Sequence, residues 1–389
     1  MTDRTRFFIL VVTAPILAYT LVGGLLGREV ELEGTYRHLR IFEDVVSLVS
    51  TNYVEEVEPV DVMKGALWGL AEGLDPESAY LTADEVETRE AGDAAGDAGV
   101  GLVLTRQYYI QVVATRDGSP ADEAGLQPGD FIRSIDGHPT RMMSTVRGHQ
   151  LLQGTPGSSV TLTVIRGNAA EPTNLELTRS DGRTANVTSR LVADDVGYLR
   201  IAEFDATTAH AVTAATAGLT EQGAERLVVD LRGTATGNYD SGLQVAAVFT
   251  DAETLAIRET TSEQIPIERS GIDATIGAPV VLLTDFGTAG AAELFAAALT
   301  DADRAESVGL RTAGRAAEQT LVPLPDGGGL LLSSVQYLTA SGDPIHRAGV
   351  EPAVVAQPPV AEFGTELGVP AEDPMLDRAL EHLADIPAA

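Results

Sequence analysis

Apolar and polar positions change rhythm several times along this chain. From residue 7 to residue 26, "FFILVVTAPILAYTLVGGLL" carries no charge, and about 20 apolar residues let a helix cross a bilayer. Arg4 and Arg6 precede this run and the acidic "REVELEG" follows it, which keeps the basic end cytoplasmic and exports the rest. No small-x-small cleavage site follows, "LVGGLLG" being the nearest approach. Residues 1–28 are therefore expected to be an uncleaved signal anchor.

Helical spacing takes over from Tyr36 to about Leu74. "LRIFEDVVSLVSTNY" places Leu39, Phe42, Val45, Val46 and Val49 on one stripe. A second helix, "DVMKGALWGLAEGL", is expected to open on Asp61 as its cap, with Pro59 separating the two. Residues 36–90 thus form an N-terminal helical region, and the small acidic stretch "AGDAAGDAG" at 91–99 marks a boundary.

Residues 96–182 read as a small, mostly β domain. "YYIQVVAT", "DFIRSIDG", "SSVTLTVIRG" and "TNLELTR" are its strands, broken at "GLQPGD", Asp136-Gly137 and "GTPG", and "STVRGHQLLQ" has helical spacing. From about 190 to 360 the pattern becomes strand, helix, strand: "VGYLRIA", "TTAHAVTAATAGLTEQG", "RLVVDLR", "SGLQVAAVF", "PVVLLTD", "ESVGL". Such alternation predicts a largely parallel α/β sheet. Residues 361–389 hold a Pro-rich strap and a short helix, "DPMLDRALEHL". The fold class is α/β, with a β domain inserted behind a helical segment.

Composition removes several kinds of function. The chain has no cysteine, so disulfides and cysteine-ligated metals are excluded. Its six histidines (His38, His138, His149, His210, His346 and His382) never fall at metal-ligand spacing, and neither metal nor cofactor is expected. A net charge of -31 repels phosphate backbones and argues against nucleic acid as a partner. Lys64 is the single lysine beside many arginines.

The strand "PVVLLTD" leads directly into "FGTAGAAELF" (286–295) and then a helix. A turn of this kind is where many enzymes hold a nucleophile, yet this one offers Gly287, Thr288, Ala289, Gly290, Ala291 and Ala292. No G-x-S-x-G, phosphate loop or metal motif stands elsewhere. Thr288, Ser333 and Ser334 are candidate replacement nucleophiles without an evident neutral base, and Thr288 otherwise reads as a helix N-cap.

Two resemblances give the turn a meaning. "GVGLVL" (99–104) together with "GSPADEAGLQPGDFIRSIDG" resembles a PDZ domain. The backbone N–H groups around Val100, Gly101, Leu102 and Val103 would converge on a peptide's terminal carboxylate, and the peptide would add as a strand beside Leu102–Thr105. The larger part, from Leu39 to Leu383, resembles the tail-specific (C-terminal processing) serine proteases. It does so through "LDPESAYL" (74–81), "GYLRIAEF" (197–204), "VVDLRG" (228–233), "LVPLPDGGGL" (321–330) and "GVEPAVV" (349–355), in that order. This resemblance implies a crotonase-like core, periplasmic placement of an inner-membrane-anchored chain, and peptides entering by their C-terminal ends.

The same resemblance assigns the serine's position to Gly290, three residues before Glu293. The general-base lysine's position falls on Arg315 in "RTAGRAAEQ", and that of the glutamine steadying it on Gln319. The oxyanion turn falls on "DLRGTATGNYD": Gly233 and Gly237 are present, and Thr236 stands where a paired glycine is expected. Glycine can form no acyl-enzyme, and arginine keeps its proton. The expectation is an inactive member that binds peptide or protein C-termini. The alternatives are an active serine endopeptidase with a rearranged site, and a scaffold subunit for an active paralogue.

Overall fold

A computed structural model describes residues 39–92, 98–167, 171–180, 184–269, 275–357 and 373–386. The chain divides into two compact units, residues 1–69 and 70–389. The expected membrane segment lies outside the described residues, among which no helix is long and apolar enough to cross a bilayer.

In the first unit, helix α1 covers 39–52. Its stripe is not a core stripe: Leu39, Phe42 and Val45 are exposed and Val46 and Val49 only half-buried. Helix α2 (Pro59–Glu72) begins at the proline expected to separate the helices, with Asp61 inside its first turn rather than capping it. Proline suits that place because a first-turn N–H has no helical partner to lose.

The second unit opens with β1 (Ala79–Leu81) and α3 (Ala83–Ala91). The inserted β domain follows: β2 (Leu102–Gln107), β3 (Tyr109–Thr115), α4 (Pro120–Glu123), β4 (Phe131–Ile135), β5 (His138–Pro139), α5 (Thr145–Leu152), β6 (Ser159–Ile165) and β7 (Thr173–Thr178). The strands stand in the order β2-β3-β4-β6-β7, which leaves β2 at an edge. Alternation sets the inward face: Val160, Leu162 and Val164 of β6 are buried while Ser159 and Thr161 are exposed.

The α/β core comprises β8 (Val187–Ala193), β9 (Val196–Ile201), α6 (Thr208–Glu221), β10 (Arg226–Asp230), α7 (Tyr239–Ala247), β11 (Thr254–Glu259) and β12 (Gln264–Glu268). It continues with β13 (Val280–Thr284), α8 (Ala291–Asp301), β14 (Ala305–Gly309), β15 (Ala317–Pro323), β16 (Gly329–Leu338), β17 (Val354–Val355) and α9 (Pro374–Asp385). The expected sheet runs β17-β14-β13-β10-β9-β8, parallel except for β8. Residues of α6, α7 and α8 fill one face, and Met375, Ala379 and Leu383 of α9 meet Val228, Val281, Leu283 and Val308 on the other. Burial on both sides is why β13 is apolar from Val280 to Leu283 and buried at every position. Each fully buried side chain such as Phe295 contributes about 2–3 kcal/mol.

A second, antiparallel sheet, β1-β16-β11-β12 with β15 beside β16, joins segments far apart in the chain, as in Ala79 opposite Leu331. Strands β10, β13 and β14 all end at one edge of the parallel sheet. The turns that follow them carry the candidate site, as expected where parallel strands end.

Candidate active site and peptide loop

The turn after β13 is bolted to its neighbours. Asp285 accepts the Gly233 N–H (2.9 Å), Thr288 Oγ1 donates to the Leu231 carbonyl (2.9 Å), and the Ala289 N–H donates to that of Thr234 (2.9 Å). The Ala313 N–H reaches the Thr288 carbonyl at 3.0 Å. These bonds bring Gly290, the Gly233–Gly237 turn and the Arg311–Arg315 turn together. Thr288 is fully buried with its hydroxyl committed, also accepting from the Asp285 N–H (3.1 Å). It is not the N-cap, a position that belongs to Gly290.

Gly290 adopts φ 62° and ψ -116°, a region costly to any residue with a side chain. Yet there is room for one: a Cβ there would meet only Tyr239, at 4.0 Å. The turn thus combines the strain of a nucleophile elbow with no side chain to present.

Glu293, wholly buried, ties the Gly290 turn and the Arg311–Arg315 turn to the helix. Its carboxylate accepts the Gly290 N–H (3.0 Å), the Thr312 hydroxyl (2.6 Å), the Gly314 N–H and the Arg315 N–H (2.6 Å). Burial pushes its carboxyl above the usual range, against the pull of these four donors. Arg315 then extends its guanidinium to Glu77, Nε to Oε1 at 2.7 Å and Nη2 to Oε2 at 2.6 Å. Burial lowers the guanidinium's affinity for its proton, but Glu77 outweighs it and holds Arg315 above its ordinary value. Its backbone carbonyl accepts from the Tyr239 hydroxyl at 2.9 Å, whose pKa burial raises.

Other predicted positions behave differently. Gln319 donates to the Ala317 carbonyl (3.0 Å) of its own strand, and no bond joins it to Arg315. A guanidinium satisfied by Glu77 leaves it no cation to steady. Ser333 Oγ donates to Asp75 (3.2 Å), and the Ser334 hydroxyl pairs with that of Thr320 (2.6 Å). In the Gly233–Gly237 turn, the Gly233 N–H is taken by Asp285, whereas the Gly237 N–H has no partner among the described residues. Gly237 must be glycine, because at φ 127° a Cβ would lie 2.3 Å from the Phe204 carbonyl oxygen. Thr236 accepts the Phe204 N–H at 3.2 Å.

Glu77 was not assigned by the sequence reading, although it lies inside the quoted "LDPESAYL". It also accepts from the Thr105 hydroxyl (2.9 Å) on β2. Edge strand, motif and Arg315 are therefore one hydrogen-bonded chain.

The loop ahead of β2 is held from behind. The Gly101 carbonyl accepts the Arg116 N–H (2.7 Å) and that of Val100 the Ala121 N–H (3.0 Å). Among the described residues the N–H groups of Val100 and Gly101 donate to nothing. Gly101 sits at φ 77°, where a Cβ would lie 2.2 Å from that of Ser119. Val103 continues the loop into the edge strand, whose free side can accept an added strand.

Comparison with known proteins agrees in both parts. Residues 195–356 match the model of peptidase family S41, and residues 111–166 that of the PDZ domain. A carboxy-terminal-processing protease of Bartonella bacilliformis is 29% identical over 337 residues, covering 85% of this chain and 77% of its own. A carboxyl-terminal-processing protease of Picosynechococcus sp. is 31% identical over 303 residues, covering 75% and 73%. Among solved structures, a photosystem II D1 C-terminal processing protease shares the fold with a TM-score of 0.68 and 28% identity, over 83% of this chain and 88% of that one.

Proposed function

The chain belongs to peptidase family S41, the serine-type C-terminal processing peptidases, and from that premise we propose that it binds peptide C-termini without cleaving them. One observation carries this reading: Gly290 offers no nucleophile at the strained turn, and Arg315 is a satisfied, permanently charged partner of Glu77. Acyl transfer needs a side-chain nucleophile and a group able to take its proton. Neither is supplied at 290 and 315.

Binding falls to the PDZ loop. The N–H groups of Val100 and Gly101, which donate to nothing among the described residues, would receive the terminal carboxylate, and Leu102 and Val103 lead into the edge strand beside which a peptide would extend. The uncharged run behind Arg4 and Arg6 supports anchoring of the chain in the inner membrane, with its body on the periplasmic or extracellular side. Fluorophosphonate treatment of the purified chain tests the reading: no covalent adduct is expected, and a stoichiometric adduct on any serine or threonine would overturn it.

A further inference from the structure

A cavity of about 300 Å³ opens beside the Arg315 turn, walled by Asp75, Ser333, Gln336, His346 and Arg347 together with Glu259. His346 is 9% exposed, and its Nδ1 is buried with no hydrogen-bond partner among the described residues. An unpaired polar atom at that depth is costly unless a ligand completes it.

Arg347, exposed to solvent, adds a guanidinium free to turn to a ligand. Its side chain makes no hydrogen bond or ion pair among the described residues, and it also walls a neighbouring cavity of about 230 Å³ that shares Asp75. Its backbone stands at φ 66° although it is not glycine. That conformation is held by its N–H on the Gly314 carbonyl (2.7 Å). Such strain concentrates at functional positions.

The two acids in the wall are already occupied. Asp75 accepts from the Glu77 N–H (2.8 Å), the Ser78 N–H (2.7 Å), the Ser78 hydroxyl (2.9 Å) and the Ser333 hydroxyl (3.2 Å). Glu259 accepts from Gln264 (2.6 Å) and Gln336. What remains open is donor capacity: a fork of guanidinium N–H groups and an imidazole. Asp75 and Glu259 would repel a dianion more strongly than a monoanion. The cavity has the size of a short peptide end, at the lower bound of ligand pockets.

We propose that His346 and Arg347 form a carboxylate-binding subsite on the α/β core, distinct from the PDZ loop. That the carboxylate arrives on a peptide rests on the reading of this chain as a peptide binder. It comes from the peptide's C-terminus or from an acidic side chain, since both present the same group. Arg347 takes it through charge-assisted hydrogen bonds and His346 supplies the buried donor.

The test is NMR titration of the full-length chain in detergent, with histidines labelled at Cε1 and the His346 signal assigned by its loss in His346→Gln. The probes are N-acetyl-Ala-Ala with a free carboxylate, its C-terminal amide, and N-acetyl-Asp-amide. The His346 signal should move with the free acid and stay still with the amide. Movement with N-acetyl-Asp-amide too assigns the subsite to carboxylates generally, and stillness to peptide ends. Arg347→Gly, which suits the positive φ, should weaken the response about tenfold or more, the loss expected for one charged hydrogen bond. Gly101→Ala, which cripples the PDZ loop, should leave it intact, so failure of the loop reading and failure of the subsite are distinguishable. No movement with either carboxylate, or equal movement with the amide, would overturn the proposal.

Discussion

Arg315 and Glu77, 238 residues apart in the chain, meet through two parallel hydrogen bonds of 2.7 and 2.6 Å. Glu77 holds the Thr105 hydroxyl of β2 with the same carboxylate. A position that the resemblance gives to a proton-accepting base is, in this chain, one end of a clasp to the PDZ edge strand. Arg315 is 20% and Glu77 13% exposed, so the pair is mostly desolvated.

Breaking that clasp should therefore be costly. Removing one partner of a buried pair typically costs about 3–5 kcal/mol, and residual exposure reduces this to about 2–3 kcal/mol for Glu77→Gln. Urea unfolding measures it. The double variant Glu77→Gln with Arg315→Gln should recover part of the loss, because no charge is left unpaired. A single variant as stable as the parent would remove the clasp from the account.

Glycine positions give a graded test of the site's geometry. Gly290→Ala sets its methyl in ordinary contact with Tyr239 at 4.0 Å but keeps φ at 62°, so it should cost only the backbone strain, about 1–3 kcal/mol. Gly237→Ala would drive a methyl to 2.3 Å from the Phe204 carbonyl oxygen and should lower the yield of folded protein sharply. The reverse order in thermal unfolding would contradict the described turns.

Peptide binding should depend on the terminal carboxylate. A peptide with a free apolar C-terminus should bind the chain more tightly than its amidated twin, and Gly101→Ala, whose methyl would collide with Ser119, should narrow the difference to what the His346–Arg347 subsite contributes. Fluorescence anisotropy reads both. Equal affinity for acid and amide in the parent would leave the PDZ domain as a spacer.

His346 sets a pH dependence of known sign. Burial lowers its pKa below the ordinary 6.5, opposed by Asp75 and Glu77 and assisted by Arg347 and Arg315. The folded chain thus binds this proton less readily than the unfolded chain. The stability linked to the neutral imidazole is complete above pH 6.5 and is lost as pH falls through the folded value. The melting temperature of the parent should fall relative to His346→Gln between pH 7 and pH 5. A constant difference would show that the imidazole titrates normally.

Much of this was legible from local pattern. The uninterrupted apolar run of β13, the alternation of β6 and the turn after Thr284 are short-range signals, and the family order of motifs joined them to a site. Thr288 was misread because hydroxyl residues before a helix usually cap it; here the Leu231 carbonyl on a neighbouring turn and the Asp285 N–H of its own turn claim its hydroxyl first. Glu77 escaped because its role depends on Arg315, and no spacing rule spans such a separation. His346 looked like one of six scattered histidines until the fold placed it in a cavity wall. The exposed stripe of α1 has correct helical spacing, and spacing alone does not say what covers a face.

Gly290→Ser and Arg315→Lys should each remain silent toward peptides when made alone. The serine would lack a base, and the lysine would lack a nucleophile.

The most direct measurement is the mass spectrum of a peptide with an apolar C-terminus after prolonged incubation with the unmodified, purified chain. The account predicts only the intact peptide, at a rate no higher than buffer alone. Truncated products that accumulate in proportion to the chain's concentration, and vanish on mutation of a residue within it, would contradict it.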